Sequence, residues 1–286
     1  MICPMLCDCH MHMVLDGRDW KQAIGRHAHG VHHAFIRATL QRYHDLGSTY
    51  LRDGGDRWGV GKAAREMAGE YGIRYKTPLS PLCRAGHYGG FIGETYEDLH
   101  HFARLVEKQR ANGADFIKIM ISGLMDFNRF GVLTEEGLPP AEIRELIHIA
   151  QDQGFSVMVH ANGARTVEAA TAAGVQSVEH GAYLDRDALA AMADAGTVWV
   201  PTLSAIGNLL GTGRFPEDAV RRIVDSALEN LAQFAQMGGL VACGSDAGAW
   251  SVTHGCETEQ TWLQQALGAN TETVIACGNA KIQELF

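Results

Sequence analysis

The chain has 286 residues, 33 of them Gly, is 46% hydrophobic and 20% charged, and carries 24 Lys+Arg against 33 Asp+Glu. That apolar content is too high for a disordered chain, and a net charge of −9 gives neither a nucleic acid nor an anionic membrane the basic face it needs. No apolar run approaches the roughly 18 residues that cross a bilayer. Seven Cys without framework spacing predict reduced thiols and a cytoplasmic protein. The opening MICPML, which lacks the basic start of a signal peptide, agrees with that expectation. Fourteen His is the unusual count.

In chain order, short apolar runs alternate with amphipathic ones. The apolar runs cover residues 2–13, 49–52, 74–78, 116–121, 156–160, 177–180, 197–201 and 240–244. Most are short, rich in Val and Ile and bounded by Gly or Asp, as buried parallel strands are. Residues 141–153 place Ile143, Leu146, Ile147 and Ala150 on one helical face, with Pro140 at the first turn and Gly154 after the end. Further helices are predicted over 164–173, 186–195 and 217–237, each followed by a Gly and then a strand. Eight such alternations, with no second compositional zone, predict an α/β fold: one domain over 1–286, a single (β/α)8 TIM barrel. An open doubly wound sheet would want a Gly-rich phosphate turn after its first strand, and VLDGRDW is not one. The longest connection, 122–139, is read as functional or lid-like, and RHAHGVHH at 26–33 as a solvated loop or an extra lip on the site.

The chemistry-bearing residues gather at strand ends. In CDCHMH, alternation puts Asp8, His10 and His12 on one side and Cys7, Cys9 and Met11 on the other. Two imidazoles so spaced suit a metal, although an isolated HxH is weak evidence. The fifth strand ends in VMVHANG at His160, the sixth in SVEHGAY at His180, and the eighth runs into ACGSDAG at Asp246. In DFIKIMIS, Lys118 interrupts an apolar strand. It is either a carbamate, formed with carbon dioxide and bridging two metal ions, or a lysine that snorkels to solvent. Four His, one Lys and one Asp form an N/O ligand set at the face where such barrels carry active sites. It suits zinc, then manganese, iron or cobalt.

The motifs LCDCHMH, DFIKIM, VMVHANG, SVEHGAYLD, VWVPTL and CGSDAG followed by THG run in order along the chain. Together they resemble the amidohydrolase superfamily, in its binuclear branch with a carboxylated lysine and its imidazolonepropionase-like and Xaa-Pro dipeptidase (prolidase-type) group. The resemblance implies that His10, His12 and Asp246 bind one metal, that His160 and His180 bind a second, and that carboxylated Lys118 bridges both. It also points to His87 in the Gly/His turn after the third strand as a donor to the substrate carbonyl, and to His254 near the substrate. Tyr183, just past His180, is a candidate for the same mouth. Arg84 and Arg129 are candidates to meet a substrate carboxylate. Asn162 and Arg165 are read as a solvated first turn. The barrel is expected without the usual flanking β-sandwich, because HxH starts at residue 10 and 279–282 resemble the family's last barrel helix.

The implied reaction is hydrolysis of an amide, in a dipeptide such as Xaa-Pro or an N-acyl amino acid. The nucleophile would be a hydroxide bridging two divalent ions, most simply Zn2+, and Asp246 would shuttle its proton. A lactone or organophosphate ester hydrolase, or a metal-binding barrel that does not catalyse, are the alternatives. The expected partner is a small-molecule substrate, with neither nucleic acid nor membrane. Self-association is expected through the barrel end that the sandwich usually covers.

Overall fold

The computed structural model describes residues 6–286; the first residues of the predicted opening strand lie outside the described residues. Among the described residues there are nine strands and eleven α-helices. The strands are β1 (Cys7–Met11), β2 (Tyr50–Asp53), β3 (Arg74–Lys76), β4 (Leu82–Arg84), β5 (Glu94–Tyr96), β6 (Ile117–Met120), β7 (Val157–Ala161), β8 (Ser177–His180) and β9 (Val198–Val200). The helices are α1 (Trp20–Gly25), α2 (His33–Asp45), α3 (Val60–Ala68), α4 (Leu99–Ala111), α5 (Pro140–Asp152), α6 (Ala164–Ala172), α7 (Arg186–Ala195), α8 (Ser204–Gly207), α9 (Glu217–Gln236), α10 (Thr258–Leu267) and α11 (Thr271–Leu285).

All strand pairings are parallel. They form two sheets, ordered β1-β2-β3 and β5-β4-β6-β7-β8-β9. Every residue of β1, β2, β6 and β7 is buried, which is why these runs read as apolar rather than alternating. The helices earn their place by one face each. In α5 the buried residues are Ile143, Leu146, Ile147 and Ala150, and in α9 they run from Val220 to Phe234. Asp98 and Asp185 cap α4 and α7 by accepting backbone N–H bonds from His101 and Ala188.

The segment expected as an eighth strand, 240–244, is not a regular strand. It carries one isolated bridge, Val241 to Trp199, yet its backbone bonds both ways. Trp199 N donates to Leu240 O at 2.8 Å and Ala242 N to Trp199 O at 2.9 Å, while Cys9 N donates to Cys243 O at 2.8 Å and Asp246 N to His10 O at 2.7 Å. Gly244 is required there. A Cβ on it would stand 2.5 Å from Val200 Cγ1 and 2.8 Å from His10 N, so a side chain would push the segment off β1. At the other junction Asp115 N donates to Thr77 O at 3.0 Å.

Two further points depart from the alternation argument. The β1–β2 register shifts between Asp8 and Met11, and Asp8 leaves the side of His10 and His12. Its carboxylate accepts from Ser245 N (2.9 Å), Ser245 Oγ (2.6 Å) and Tyr43 Oη (3.2 Å). Cys7 and Cys9 pack with Tyr50, Phe116, Met158 and Val200 and with Ile282 and Phe286 at the end of α11. Six of the cysteines lie among the described residues and all six are free thiols. No described helix is long and apolar enough to cross a membrane.

Candidate active site

Strand ends place the site. His10 and His12 leave the end of β1, Lys118 stands in β6, His160 and His180 end β7 and β8, and Asp246 follows the 240–244 segment. His12 Nε2 lies 3.3 Å from His10 Nε2 and 3.2 Å from Asp246 Oδ1, and His10 Nε2 lies 3.6 Å from Asp246 Oδ1. One ligand atom from each of the three falls within 4.8 Å of the others, all three residues being buried. Lys118 Nζ is 3.2 Å from His10 Nε2. The ring of His180 is 5.0 Å from that of His10 and 4.5 Å from that of His160, centroid to centroid. The six side chains expected to meet therefore do meet.

Backbone strain marks the same rim. His180, Thr202 and Asp246 hold φ of +68°, +50° and +58°, a region that side chains other than Gly visit at a cost of about 1–3 kcal/mol. His180 Nδ1 and Thr202 Oγ1 are 2.7 Å apart, and Trp199 Nε1 donates to His180 O at 2.9 Å. His160 Nε2 faces Gly123 O at 3.2 Å and the Asn162 amide at 3.4 Å. Among the described residues, His160 Nδ1 and His180 Nε2 take no protein hydrogen bond.

Beneath the imidazoles lies a buried ion pair that pattern reading does not reveal. Glu179 Oε2 is 2.6 Å from His10 Nδ1, and its Oε1 accepts from Arg52 Nη2 (2.8 Å) and Ser177 Oγ (2.6 Å). Arg52 also donates to Cys9 O at 2.7 Å. The carboxylate keeps the His10 proton on Nδ1 and turns the Nε2 lone pair toward the cluster, as the outer partner of a metal-bound histidine does.

Burial governs the titration. Desolvation lowers His10 and His180 well below the ordinary imidazole value, lowers His12, and takes His160 to about 4, the neighbouring Lys118 charge adding to each. Desolvation brings Lys118 to about 8, against the pull of Glu179, Asp246 and Asp53. The imidazoles are thus neutral donors at pH 7, and the lysine is partly an uncharged amine. Two converging imidazole nitrogens and a carboxylate oxygen, one ligand atom from each of three buried residues, form a donor set that fits a divalent cation.

Above the cluster opens a cavity of about 550 Å³ whose lining includes His12, Lys118, His160, His180 and Asp246. Not every expected substrate residue reaches it. His87 does not line the cavity; its side chain is 40% exposed, 3.4 Å from Glu135 Oε2. The next residue, Tyr88, turns inward, its ring 4.8 Å from that of His160. His254 is buried behind the wall, one nitrogen 3.3 Å from Tyr43 Oη and the other 2.9 Å from Leu15 O. Tyr183 packs edge-on against Phe130, centroids 5.5 Å apart, in the 122–139 loop region. Arg84 and Arg129 are engaged by Glu142 and Asp126. Asn162 is fully buried rather than solvated, its amide donating to Gly123 O and its Oδ1 accepting from Ala182 N.

The model of the amidohydrolase family matches residues 1–258. The chain belongs to the amidohydrolase family. The chain is 29% identical over 198 residues to an ochratoxinase of Aspergillus niger, an alignment covering 64% of this chain and 38% of that protein. The chain therefore matches well under half the length of that fungal relative. It is 26% identical over 297 residues to an uncharacterized protein of Mycobacterium tuberculosis, covering 98% of this chain and 73% of the relative. Among solved structures, a Xaa-Pro dipeptidase with methionine in its active site superposes with a TM-score of 0.77 at 22% identity, over 98% of this chain and 75% of that one. The A. niger ochratoxinase superposes with 0.76 at 21%, over 99% and 70%. Both are similar in fold, and both agree with the prolidase-like resemblance read from the sequence motifs.

Proposed function

We propose that this chain is a metal-dependent amidohydrolase whose 286 residues form one (β/α)8 barrel domain. It would cleave the amide of a small carboxylated molecule, a dipeptide such as Xaa-Pro or an N-acyl amino acid. The barrel reading is supported by the 240–246 backbone bonding to both β9 and β1, and by the Asp115–Thr77 bond between β3 and the entry to β6. In this reading His10, His12 and Asp246 would hold one cation and His160 and His180 a second, and Lys118, carboxylated by carbon dioxide on its neutral amine with loss of a proton, would supply a further anionic oxygen ligand. Two divalent ions, zinc being the natural choice for an N/O set, would lower the pKa of water and polarise a carbonyl.

The side chains do the rest. Glu179 and Arg52 hold His10 in one tautomer and one orientation. Asp246, on a strained backbone at the cavity floor, takes a proton from the attacking water and passes it to the departing amine nitrogen, base first and acid second. Tyr88 and the apolar lining keep bulk water from the reacting carbonyl. One observation carries this reading: His10 Nε2, His12 Nε2 and Asp246 Oδ1 converge at the floor of an open cavity, in a chain of this family. The test is a substrate panel on zinc-loaded protein, with Xaa-Pro dipeptides and N-acyl amino acids set beside lactones and phosphotriesters. Turnover of an amide is the expected result. Protein that holds zinc and turns over only the esters, or nothing, refutes it.

A further inference from the structure

We infer that the cavity is built for an amide carrying a flat aromatic group and a carboxylate, with Arg214 as the carboxylate anchor. This rests on the hydrolytic reading for the amide but not for the binding. Trp20 and Trp250 are among the few large apolar side chains left open, 47% and 36% exposed, and both line the cavity. Exposed indoles cost free energy that a stacked guest recovers. They do not stand alone. Trp20 meets Phe91 edge-on at 5.4 Å, Phe91 meets Tyr88 at 5.9 Å, and Tyr88 meets His160 at 4.8 Å. One wall is therefore a continuous run of rings from the mouth to the cluster. Phe127 and Phe215, 5.2 Å apart, stand in the lining as well.

Charge supplies the second half. The guanidinium of Arg214 lies 4.0 Å over the Trp250 ring and 5.5 Å from that of Phe215, and Arg18 also lines the cavity. Among the described residues neither forms a salt bridge, whereas Arg26, Arg84, Arg129 and Arg221 each hold a carboxylate. Asp126, the lining acid besides Asp246, is held by Arg129 and Asn128. In a chain with net charge −9, two guanidinia without a salt bridge line one cavity. A guanidinium stacked by its face keeps its N–H edge free for a bidentate carboxylate. A cavity of about 550 Å³ lies in the range that holds drug-sized ligands.

Calorimetric titration of the intact protein with N-(phenylsulfonyl)phenylalanine, a sulfonamide that resists hydrolysis, separates binding from turnover. The comparison ligands are its carboxamide counterpart and N-(methylsulfonyl)alanine. The free acid should bind at least about tenfold tighter than the carboxamide and than the small aliphatic acid. Arg214→Met, a change at an exposed residue, should remove the preference for the acid while leaving carboxamide affinity within about twofold. Trp20→Ala should weaken both aromatic ligands by roughly 2–10-fold. Equal binding of acid and carboxamide, equal losses for both in Arg214→Met, or no advantage of the aromatic acid over the aliphatic one overturns the inference. Tight, Arg214-dependent binding together with no turnover of N-benzoylphenylalanine would support it and count against the hydrolytic reading instead.

Discussion

Glu179 illustrates why buried carboxylates repay attention. It neutralises Arg52 in a dry interior and fixes the tautomer of His10, so its loss is felt through the imidazole and not through any contact with substrate. Glu179→Gln should lower zinc affinity by about 10–100-fold, measured by competition with a chromophoric chelator; unchanged affinity would show that His10 needs no outer partner. Asp246→Asn keeps an oxygen donor but cannot carry a proton. It should retain zinc and lose about 10²–10⁴ in kcat, read in steady-state assays on whichever amide the wild-type protein turns over. The six converging side chains were legible because His, Lys and Asp at the ends or middles of apolar runs stand out from their surroundings. Glu179 and Arg52 were not, since pairing across a fold leaves no local trace. His87 and Tyr88 differ by one residue in a turn, where no periodicity fixes which side chain points inward.

Elements were read well where they were long. The predicted boundaries of α5, α6, α7 and α9 fall within about one residue of those observed, because a Gly follows the end of each and stops it. β4 (LCR) and β5 (ETY) lie in no apolar run and were not predicted. The 240–244 segment was read as a strand because its composition is that of one, but its bonds alternate between two neighbours. Where α11 crosses it, Gly278 presses against the Val241 carbonyl and the Ala242 nitrogen. Gly278→Ala should destabilise by about 1–3 kcal/mol in urea unfolding, and no change would mean that α11 docks loosely. Glu259, fully buried, accepts from Leu203 N and Ser204 N at 3.0 and 2.6 Å and so ties α10 to the turn after β9. Burial raises its pKa from 4.5 to about 8. A raised folded-state value means that its stabilising contribution is complete below about pH 4.5 and is lost as pH rises through about 8. The melting temperature of the wild-type protein relative to Glu259→Gln should therefore fall between pH 5 and pH 9. A constant difference would contradict that assignment.

At the scale of the whole molecule, two parallel sheets meet along one irregular segment and one loop junction, and every chemistry-bearing strand end opens toward the same cavity. That convergence, more than any single motif, ties the site to the fold. It also explains why the sequence pointed to the converging side chains before the cavity walls. The former sit on or just after strands, whose direction is fixed by the sheet, while the walls come from loops such as 122–139, whose paths depend on contacts far away in the chain. The central claim is that six side chains from these strand ends hold two cations. Elemental analysis of protein equilibrated with zinc and dialysed tests it most directly. The account predicts two zinc ions per chain in the wild-type protein, with the content reduced in His10→Ala and in His180→Ala. Substoichiometric zinc in the wild-type protein, or full content in both variants, would contradict it.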